Sequence, residues 1–393
     1  MAAPGRARTA PIAEGELMTA VRVLADATAL PRDRGGVGRF VDEVLPLLAH
    51  DPRIELHVVC KPDDVDRFRA SVGLVAVSAA PAATTRTWFR LLWEQVGLPR
   101  RARKIAADVV FSPHYTYPVA GGFGRVVVVH DLTFFSMPEL HSRVKRWFFR
   151  SWIKSIARHG VSTVAPSEAT ASAFRALAGD RVPAPTVAPL GYDAQTFRPP
   201  DAERIAGFRA RHEPLDRWIA FLGTLEPRKN VASLVEAFST LASRYPRVTL
   251  LLAGGDGWDT AVPGAIDAAR RRGADVRRLG YLPLDDIHVL LGGADLVVYP
   301  SLGEGFGLPV LEAMACGAAV VTTRRLSLPE VGGDAVAYVE PEAASIAAGL
   351  AGLLDDEARR AALRSDARAR AAGFSWQRTA DAIADALVAE SVR

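Results

Sequence analysis

Short, continuous runs of apolar residues recur through the whole chain, and this repetition limits the possible folds more than any other feature. The runs in the first half are residues 20–24, 54–60, 72–77, 109–111, 126–130, 162–165 and 186–188. The runs in the second half are residues 218–222, 248–253, 276–279, 296–299, 319–322 and 335–339. Apolar residues that do not alternate with polar ones are typical of strands buried on both faces of a parallel sheet. Helical spacing between the runs then predicts an α/β protein with one such sheet in each half.

The length and the break between the two sets of strands predict two domains. A chain of 393 residues is longer than a domain with a single hydrophobic core usually is. We predict the domains at residues 19–195 and 212–376, with residues 1–18 as a disordered tail and Met18 as an alternative start. The tail has no apolar core of the kind a signal peptide needs.

Composition predicts a folded protein of a reducing cytoplasm. The chain has no apolar segment of about 18 residues, and two cysteines are too few for a disulfide framework. Residues 1–190 carry 25 Lys and Arg against 17 Asp and Glu, whereas residues 191–393 carry 23 against 27. The basic half could meet an anionic substrate or an anionic membrane. We expect no nucleic acid, because no nucleic-acid-binding motif accompanies the charge.

The stretch from Gly303 to Gly317 reads Gly-Glu-Gly-Phe-Gly-Leu-Pro-Val-Leu-Glu-Ala-Met-Ala-Cys-Gly and follows a predicted strand. Its glycines permit tight turns and close approach of a ligand, while Pro309 and Gly317 are typical of the first turn and the end of a helix. The free N–H groups of a helix start form a phosphate site. Glu304 lies in the loop and Glu312 in the predicted first helical turn. Two carboxylates beside a phosphate site favour a sugar nucleotide as the ligand.

Other polar residues follow predicted strands, where ligands of parallel sheets bind. His130 and Asp131 follow the strand at 126, and the adjacent cations Arg228 and Lys229 follow the strand at 218. The glycines at 35, 36 and 38 follow the first strand, but they lack the spacing of a dinucleotide-binding loop. Structural turns and core histidines remain the alternative interpretations of these residues.

Together the 303–317 stretch, Gly35-Gly36-Val37-Gly38 and Arg228-Lys229 resemble the retaining glycosyltransferases of family 4, which have the GT-B fold. The segment His130-Asp131-Leu132 with Pro138 resembles a subgroup that contains O-antigen mannosyltransferases. The resemblance runs from Thr19 to the final helix. It implies two Rossmann-like domains that face each other across a cleft, with the helix at 377–393 crossing back to the first domain.

The resemblance further implies transfer of a hexose from a nucleotide sugar, with GDP-mannose as the expected donor and a glycan, a lipid-linked molecule or a small molecule as the acceptor. His130, Arg228, Lys229 and Glu304 are the expected catalytic residues. The expected donor-binding residues are Gly35, Gly36, Gly38, Asp131, Gly223, Asn230, Gly254, Tyr281, Leu282, Gly305, Phe306, Gly307, Leu308 and Glu312. No cofactor and no metal ion is expected, since the two cations and the helix start would supply the positive charge that Mg²⁺ supplies elsewhere.

Two other functions remain open. The protein could be a sugar-nucleotide epimerase, since epimerases with this fold also bind a diphosphate between two domains. It could also be a glycosyltransferase that uses a UDP or dTDP sugar instead of GDP-mannose. A silent sugar-nucleotide-binding partner would be expected to lack Glu304, His130 or Lys229, and all three are present. An Asp-x-Asp at residues 64–66 resembles a metal-binding motif, but acids are also ordinary at a helix start.

A basic amphipathic helix is predicted between residues 141 and 158. Arg143, Arg146, Arg150, Lys154 and Arg158 share one arc of about 120° when placed on a helix. Two interpretations remain: a solvated face over the domain core, or a face that holds the enzyme peripherally on an anionic membrane.

Overall fold

The computed structural model describes residues 20–30, 35–73, 76–179 and 182–393. The predicted disordered tail, residues 1–18, lies outside the described residues. The described chain forms two Rossmann-like α/β domains, each with one parallel sheet between helices. The predicted fold class is therefore confirmed.

The first sheet has the strand order β3-β2-β1-β4-β5-β6-β7, and every pair is parallel. Its strands are β1 Val21–Asp26, β2 Ile54–Cys60, β3 Val77–Ala79, β4 Val109–Ser112, β5 Gly124–Val128, β6 Ser162–Ala165 and β7 Thr186–Val187. The strand order reverses between β1 and β4, where Val23 pairs with Val109. Such a switch point opens a crevice beyond the carboxyl ends of the strands.

The second sheet repeats this order as β10-β9-β8-β11-β12-β13. Its strands are β8 Arg217–Leu222, β9 Val248–Ala253, β10 Val276–Gly280, β11 Leu296–Tyr299, β12 Val320–Thr323 and β13 Ala337–Val339. All six residues of β9 are buried, which explains why all of them except Thr249 are apolar. The switch point here lies between β8 and β11.

Helices cover both sheets. Those of the first half are α1 Gly35–Ala49, α2 Val65–Val72, α3 Thr87–Lys104, α4 Thr133–Ser136, α5 Arg143–His159, α6 Glu168–Ala178 and α7 Ala202–Arg211. Those of the second half are α8 Val231–Leu241, α9 Ala261–Arg271, α10 Leu284–Gly292, α11 Leu308–Ala315, α12 Leu328–Gly332, α13 Ala343–Asp355, α14 Glu357–Ala371 and α15 Trp376–Ser391. In the described part of the chain, no helix combines the length and the apolar character that a membrane crossing requires.

The last helix, α15, packs on the first domain, as the resemblance implies. Glu390 Oε2 accepts a hydrogen bond of 2.6 Å from Ser162, and Thr379 donates one of 2.6 Å to the carbonyl oxygen of Pro189. Its cap, Ser375, accepts from the backbone N–H of Arg378. The C-terminal helix therefore links the two domains.

One predicted strand is wrong. The apolar run at 72–77 is not a single strand, because Val72 is the last residue of α2. Gly73, at a φ of 101°, ends that helix, and β3 begins only at Val77. A positive φ is accessible to glycine at little cost, so the chain can leave the helix here.

Candidate active site

Arg228 and Lys229 lie in a short 3₁₀ turn that follows β8, and both bind Glu304. Lys229 Nζ donates a hydrogen bond of 2.6 Å to Glu304 Oε1. Arg228 donates to Glu304 Oε2 and, over 3.1 Å, to the carbonyl oxygen of Gly303. The structure therefore brings the two predicted cations together with the first carboxylate of the 303–317 stretch.

Charge pairing dominates the electrostatics of this cluster. Burial alone would raise the pKa of Glu304, but Arg228 and Lys229 outweigh it and lower the pKa to about 2. Burial lowers the pKa of Lys229, against the opposing effect of Glu304. For Arg228, burial is outweighed by the charges of Glu304 and Glu226, which raise its pKa. Glu304 is therefore an anion held between two cations.

Helix α11 begins beside this cluster. Its cap is Gly307, in the left-handed region at a φ of 104°, and Leu308 is its first residue. Glu312 is the fifth residue of α11, so its predicted place in the first turn is wrong. Its side chain is buried and forms an ion pair with Arg39 of the first domain. The pair joins the two domains across the cleft.

His130 and Asp131 follow β5 and face the second domain. His130 Nε2 lies 2.9 Å from the carbonyl oxygen of Pro113, so this nitrogen carries a proton and donates it. Burial lowers the pKa of His130. The hydroxyl of Tyr115 accepts from the backbone N–H of Asp131 over 2.9 Å. Both predicted residues are therefore fixed by the segment that follows β4.

The glycines at 35, 36 and 38 form the first turn of α1, although the sequence predicts a loop there. Gly35 has a φ of 45°, and a Cβ added at Gly35 or Gly36 would meet no atom of the described residues within 4 Å. Gly38 is buried. These residues therefore place the start of α1 at the end of the first domain's sheet.

Gly223, Gly254, Tyr281 and Leu282 follow β8, β9 and β10, side by side at one edge of the second sheet. Gly254 has a φ of 120°, and a Cβ there would lie 2.3 Å from the carbonyl oxygen of Gly223. Tyr281 is 77% exposed, whereas Leu282 is half-buried. This edge of the sheet therefore offers a ligand its backbone groups and the exposed ring of Tyr281.

Two predicted donor-binding residues use their side chains elsewhere. Phe306 is buried, and its ring lies edge-on to Phe374 with 6.0 Å between centroids. The amide of Asn230 donates to the carbonyl oxygens of Pro300 and Pro341, over 3.2 and 2.7 Å. What either residue can offer a donor is therefore its backbone.

Comparison with known proteins assigns the family. Residues 208–370 match the family described as glycosyl transferases group 1, and residues 34–196 match glycosyltransferase family 4. The O-antigen chain mannosyltransferase B of Escherichia coli is 31% identical over 260 residues, which are 64% of this chain and 67% of that protein. The chain belongs to glycosyltransferase family 4. The serotype-specific mannosyltransferase WbdA of Escherichia coli is 37% identical over 184 residues, but these are 46% of this chain and only 22% of WbdA.

A solved structure supports the fold of this family 4 glycosyltransferase. Anabaena HepE, in complex with UDP and glucose, superposes with a TM-score of 0.73 over 94% of this chain and 100% of HepE. Sequence identity in that comparison is 21%, so the likeness concerns the GT-B fold alone.

The two domains of the glycosyltransferase touch directly at Gly305. Its carbonyl oxygen accepts from Ser167 over 2.6 Å and from Thr170 over 3.1 Å, and both donors belong to the first domain. A Cβ at Gly305 would lie 1.9 Å from the carbonyl oxygen of His130. The structure therefore shows a closed cleft at this point.

A carboxylate of the second domain also caps a helix of the first. Glu330 accepts hydrogen bonds of 2.7 Å from the backbone N–H groups of Glu168 and Ala169, at the start of α6. Free N–H groups at a helix start favour such an anion. This contact is a second link that holds the cleft closed.

A cavity of about 320 Å³ adjoins Glu304 between the domains. Its walls are mostly apolar and include Phe135 and Ala173 of the first domain. Leu177 and Leu326 also line it and are 46% and 44% exposed. The cavity therefore extends an apolar path from the predicted sugar site towards the surface.

Sequence reasoning missed several residues of this cleft. Arg39 directly follows the predicted glycine segment, and that position was a usable signal. His141 was not predicted either; its Nε2 lies 3.0 Å from the hydroxyl of Thr133, and burial lowers its pKa. Ser167 and Glu330 read as ordinary helix-start residues, and no local pattern indicates their partners.

Proposed function

We propose that this protein transfers a hexose from a nucleotide sugar, with retention of anomeric configuration and without a metal ion. The observation that carries the proposal is the buried cluster of Arg228, Lys229 and Glu304 beside the start of α11, opposite His130. Two cations beside the positive end of a helix suit a diphosphate. The neighbouring carboxylate suits sugar hydroxyls.

The chemistry follows from charge. Breaking a glycosyl phosphate bond leaves positive charge on the anomeric carbon and additional negative charge on the departing diphosphate. Arg228, Lys229 and the helix start would stabilise that negative charge without reorganising. A carboxylate accepts about four hydrogen bonds, so Glu304 can bind both cations and still hold hydroxyls of the sugar. The departing phosphate would take the proton of the acceptor hydroxyl on the same face of the sugar.

We further propose mannose as the sugar and GDP-mannose as its donor. The names of the relatives support mannose, since the O-antigen enzyme and WbdA are mannosyltransferases. HepE was solved with UDP and glucose, which makes UDP-glucose the donor to test against it.

A donor panel tests these proposals. The purified protein is incubated with GDP-mannose, UDP-glucose and dTDP-glucose, and donor loss and products are followed by NMR, with and without EDTA. Of the three donors, we expect only GDP-mannose to be hydrolysed slowly without an acceptor and to give an α-linked product with one. Both rates should be the same in EDTA. Hydrolysis of UDP-glucose, with none of GDP-mannose, would overturn the donor assignment. An altered sugar nucleotide formed without acceptor would identify an epimerase, and loss of activity in EDTA would overturn metal independence.

We also propose an acceptor carried by an anionic membrane, docked against the first domain. Two exposed features support it. Trp147 and Val144 on α5 are 72% and 77% exposed beside the exposed cations Arg143 and Lys154. Helix α3 exposes its own apolar row at Trp88, Leu92 and Val96. Basic residues near an anionic surface contribute about 1 kcal/mol each, and the apolar cavity beside Glu304 suits a lipid-linked acceptor.

The structure changes the choice of residues for the membrane test. Arg146 and Arg150 lie on the predicted basic arc, but they donate to the carbonyl oxygens of Pro138 and Phe134. Charge reversal at these two positions would therefore disturb packing. Arg143 and Lys154 are the better targets.

Co-sedimentation with vesicles tests whether α5 docks on an anionic membrane. Wild type should pellet with anionic but not with neutral vesicles at low salt, and the double change Arg143→Glu/Lys154→Glu should prevent this. The matched control is Arg271→Glu/Arg359→Glu, which reverses two exposed cations of the second domain. Wild type that stays in the supernatant, or equal loss in both variants, would contradict docking through α5.

A further inference from the structure

A group of buried ionisable side chains lies in the first domain, outside the site described above. Asp26 ends β1, Arg90 and Glu94 lie on α3, and His114 follows β4. Asp26 and Glu94 have no exposed surface, and Arg90 and His114 are 7% and 8% exposed. Buried charges are costly unless they are paired and hydrogen-bonded, so this group calls for a physical reason.

The side chains form one hydrogen-bonded chain through Thr116. Arg90 Nη1 and Thr116 Oγ1 each donate to Glu94 Oε2 over 2.6 Å. His114 Nδ1 lies 3.0 Å from Thr116 Oγ1. The single hydroxyl proton of Thr116 is already given to Glu94, so His114 Nδ1 must carry the proton of this second bond. Thr116 therefore connects His114 to α3.

The other ring nitrogen of His114 faces Asp26. Nε2 lies 3.5 Å from Asp26 Oδ2, close enough for an ion pair, but neither atom has a hydrogen-bond partner among the described residues. Burial alone would raise the pKa of Asp26, but the neighbouring His114 and the charge of Arg90 lower it. The imidazole of His114 therefore lies between Asp26 and Thr116.

The segment after β4 carries this anchoring into the cleft. His114 and Thr116 point to the buried network, whereas Pro113 and Tyr115 make the contacts that fix residues 130 and 131. Pro113 accepts the Nε2–H of His130 over 2.9 Å. The hydroxyl of Tyr115 accepts from the backbone N–H of Asp131 and donates to its carbonyl oxygen over 3.3 Å. The segment at 113–116 is thus anchored by the buried network and in turn orients His130, the predicted catalytic histidine.

Asp26 also joins the network to the turn that follows β1. Its Oδ1 accepts from the backbone N–H of Thr28 over 2.9 Å and from the Thr28 hydroxyl over 2.6 Å. The network therefore fixes the end of β1 as well as the segment that follows β4.

We propose that Asp26, Arg90, Glu94, His114 and Thr116 are positioning residues that set the orientation of His130 for sugar transfer. They act through the segment at 113–115 and touch neither donor nor acceptor. The proposal rests on the proposed glycosyl transfer. In physical terms, four ionisable groups are buried here because a charged, directional network fixes a loop more narrowly than apolar packing does.

A metal ion is the competing interpretation. Atoms of Asp26, Glu94 and His114 lie within 4.8 Å of one another. Glu94, however, already accepts from Arg90 and Thr116 on one oxygen and from Gln95, over 3.1 Å, on the other. The guanidinium of Arg90, which is bonded to Glu94, would also repel a metal ion at this place. The contacts therefore favour the positioning network.

Thr116 offers a matched pair of variants. Thr116→Val keeps the shape but removes the hydroxyl that joins His114 to Glu94, whereas Thr116→Ser keeps the hydroxyl. We expect Thr116→Val to lower kcat by about 10- to 100-fold, since a misplacement of 1 Å costs on the order of 10²-fold. KM for the donor and Kd for the bare nucleoside diphosphate should stay near wild type, because the proposed diphosphate site lies in the second domain. Thr116→Ser should restore most of kcat.

Two further measurements separate the outcomes. In ¹⁵N-histidine spectra of the full chain, His130 should show a protonated Nε2 in wild type and Thr116→Ser, and a changed signal in Thr116→Val. A lower melting temperature with unchanged kcat and an unchanged His130 signal would show a merely structural network and overturn the proposal. One equivalent of tightly held metal, lost in Asp26→Asn, would overturn it in favour of a metal site. If wild type transfers no sugar at all, the proposed function fails, while the His130 spectra still test the positioning.

Discussion

Replacing Gly305 with alanine should separate sugar transfer from nucleotide binding. Gly305 lies where the two domains meet, and its backbone is not in the left-handed region, so alanine is sterically allowed by the chain itself. The new Cβ, however, would lie 1.9 Å from the carbonyl oxygen of His130 and 2.8 Å from Asp131 Cβ. One of these neighbours is backbone, so no side-chain rotation relieves the contact.

The size of the effect follows from that distance. The contact must lengthen from 1.9 Å to at least 3.0 Å, so the domains must separate locally by about 1.1 Å. A displacement of about 1 Å at the reacting atoms costs on the order of 10²-fold in rate. The hydrogen bonds from Ser167 and Thr170 to Gly305 would stretch as well, and each contributes about 0.5–1.5 kcal/mol. We therefore expect kcat to fall by about 100-fold.

The assay compares turnover with binding and with stability. Kd for the bare nucleoside diphosphate, measured by calorimetry, should hardly change, because Arg228, Lys229 and Glu312 all belong to the second domain. The matched control is Gly352→Ala in α13, where the added Cβ would meet no atom within 4 Å. That change should leave kcat unaltered and stabilise the fold by about 0.5–1 kcal/mol.

The result that would refute this reasoning is specific. If Gly305→Ala turns over at the wild-type rate, the close contact between Gly305 and His130 is not part of the catalytic state. If it loses nucleotide binding and turnover together, the substitution has distorted the donor site itself rather than the closure.

Three other predictions concern the charged residues of the proposed donor site, which are Arg228, Lys229, Glu304 and Glu312. Arg228→Ala or Lys229→Ala should each lower kcat by about 10²- to 10³-fold, the scale of losing a fixed charge stabiliser, and full activity in steady-state assays would refute the diphosphate role. Glu312→Gln should weaken binding of the bare nucleoside diphosphate in calorimetry, whereas Glu304→Gln should spare that binding and depress transfer; equal effects on binding would show that the roles are divided wrongly. The pKa of Glu304 is lowered from 4.5 to about 2, so its ion pairs stabilise the fold above pH 4.5 and lose this effect as the pH falls through about 2. Acid unfolding should therefore show wild type losing its stability advantage over Glu304→Gln in that window, and a difference that is constant with pH would contradict the ion pairing.

The strands were predictable because burial leaves a direct trace in the sequence. A strand covered on both faces is mostly apolar, and in β9 five of the six buried residues are apolar, the exception being Thr249. The error at 72–77 has the same origin, since Val72 is an apolar residue on a helix and apolarity alone does not separate the two states. Gly73 was the available signal, as a glycine that ends a helix.

The cluster of Arg228, Lys229 and Glu304 was predictable for another reason. Arg228, Lys229 and Glu304 each follow a strand, and strand order at a switch point brings such ends together. The segment at 113–116 also follows a strand, but its function depends on α3, whose helical pattern gave no sign of buried charge at Arg90 and Glu94. Contacts of this kind depend on how a helix is rotated against a sheet, and a single sequence does not contain that information.

The glycines of the 303–317 stretch show how one motif can combine different physical requirements. The sequence suggests that Gly303, Gly305 and Gly307 all permit special backbone turns, but of these three only Gly307 has a positive φ, at 104°. Gly305 is required by the approach of His130. At Gly303 an added Cβ would meet the ends of two flexible side chains, those of Leu326 at 2.6 Å and Met137 at 2.8 Å.

Alanine should therefore act differently at each position. At 303 the neighbouring side chains can rotate away, so the cost should be small. At 307 the left-handed backbone is strained by about 1–2 kcal/mol, which should loosen the start of α11 and weaken diphosphate binding. At 305 the second domain keeps its shape, and only its approach to the first domain is prevented. A motif that resembles a single phosphate loop thus contains one position for local packing, one for the helix start and one for domain closure.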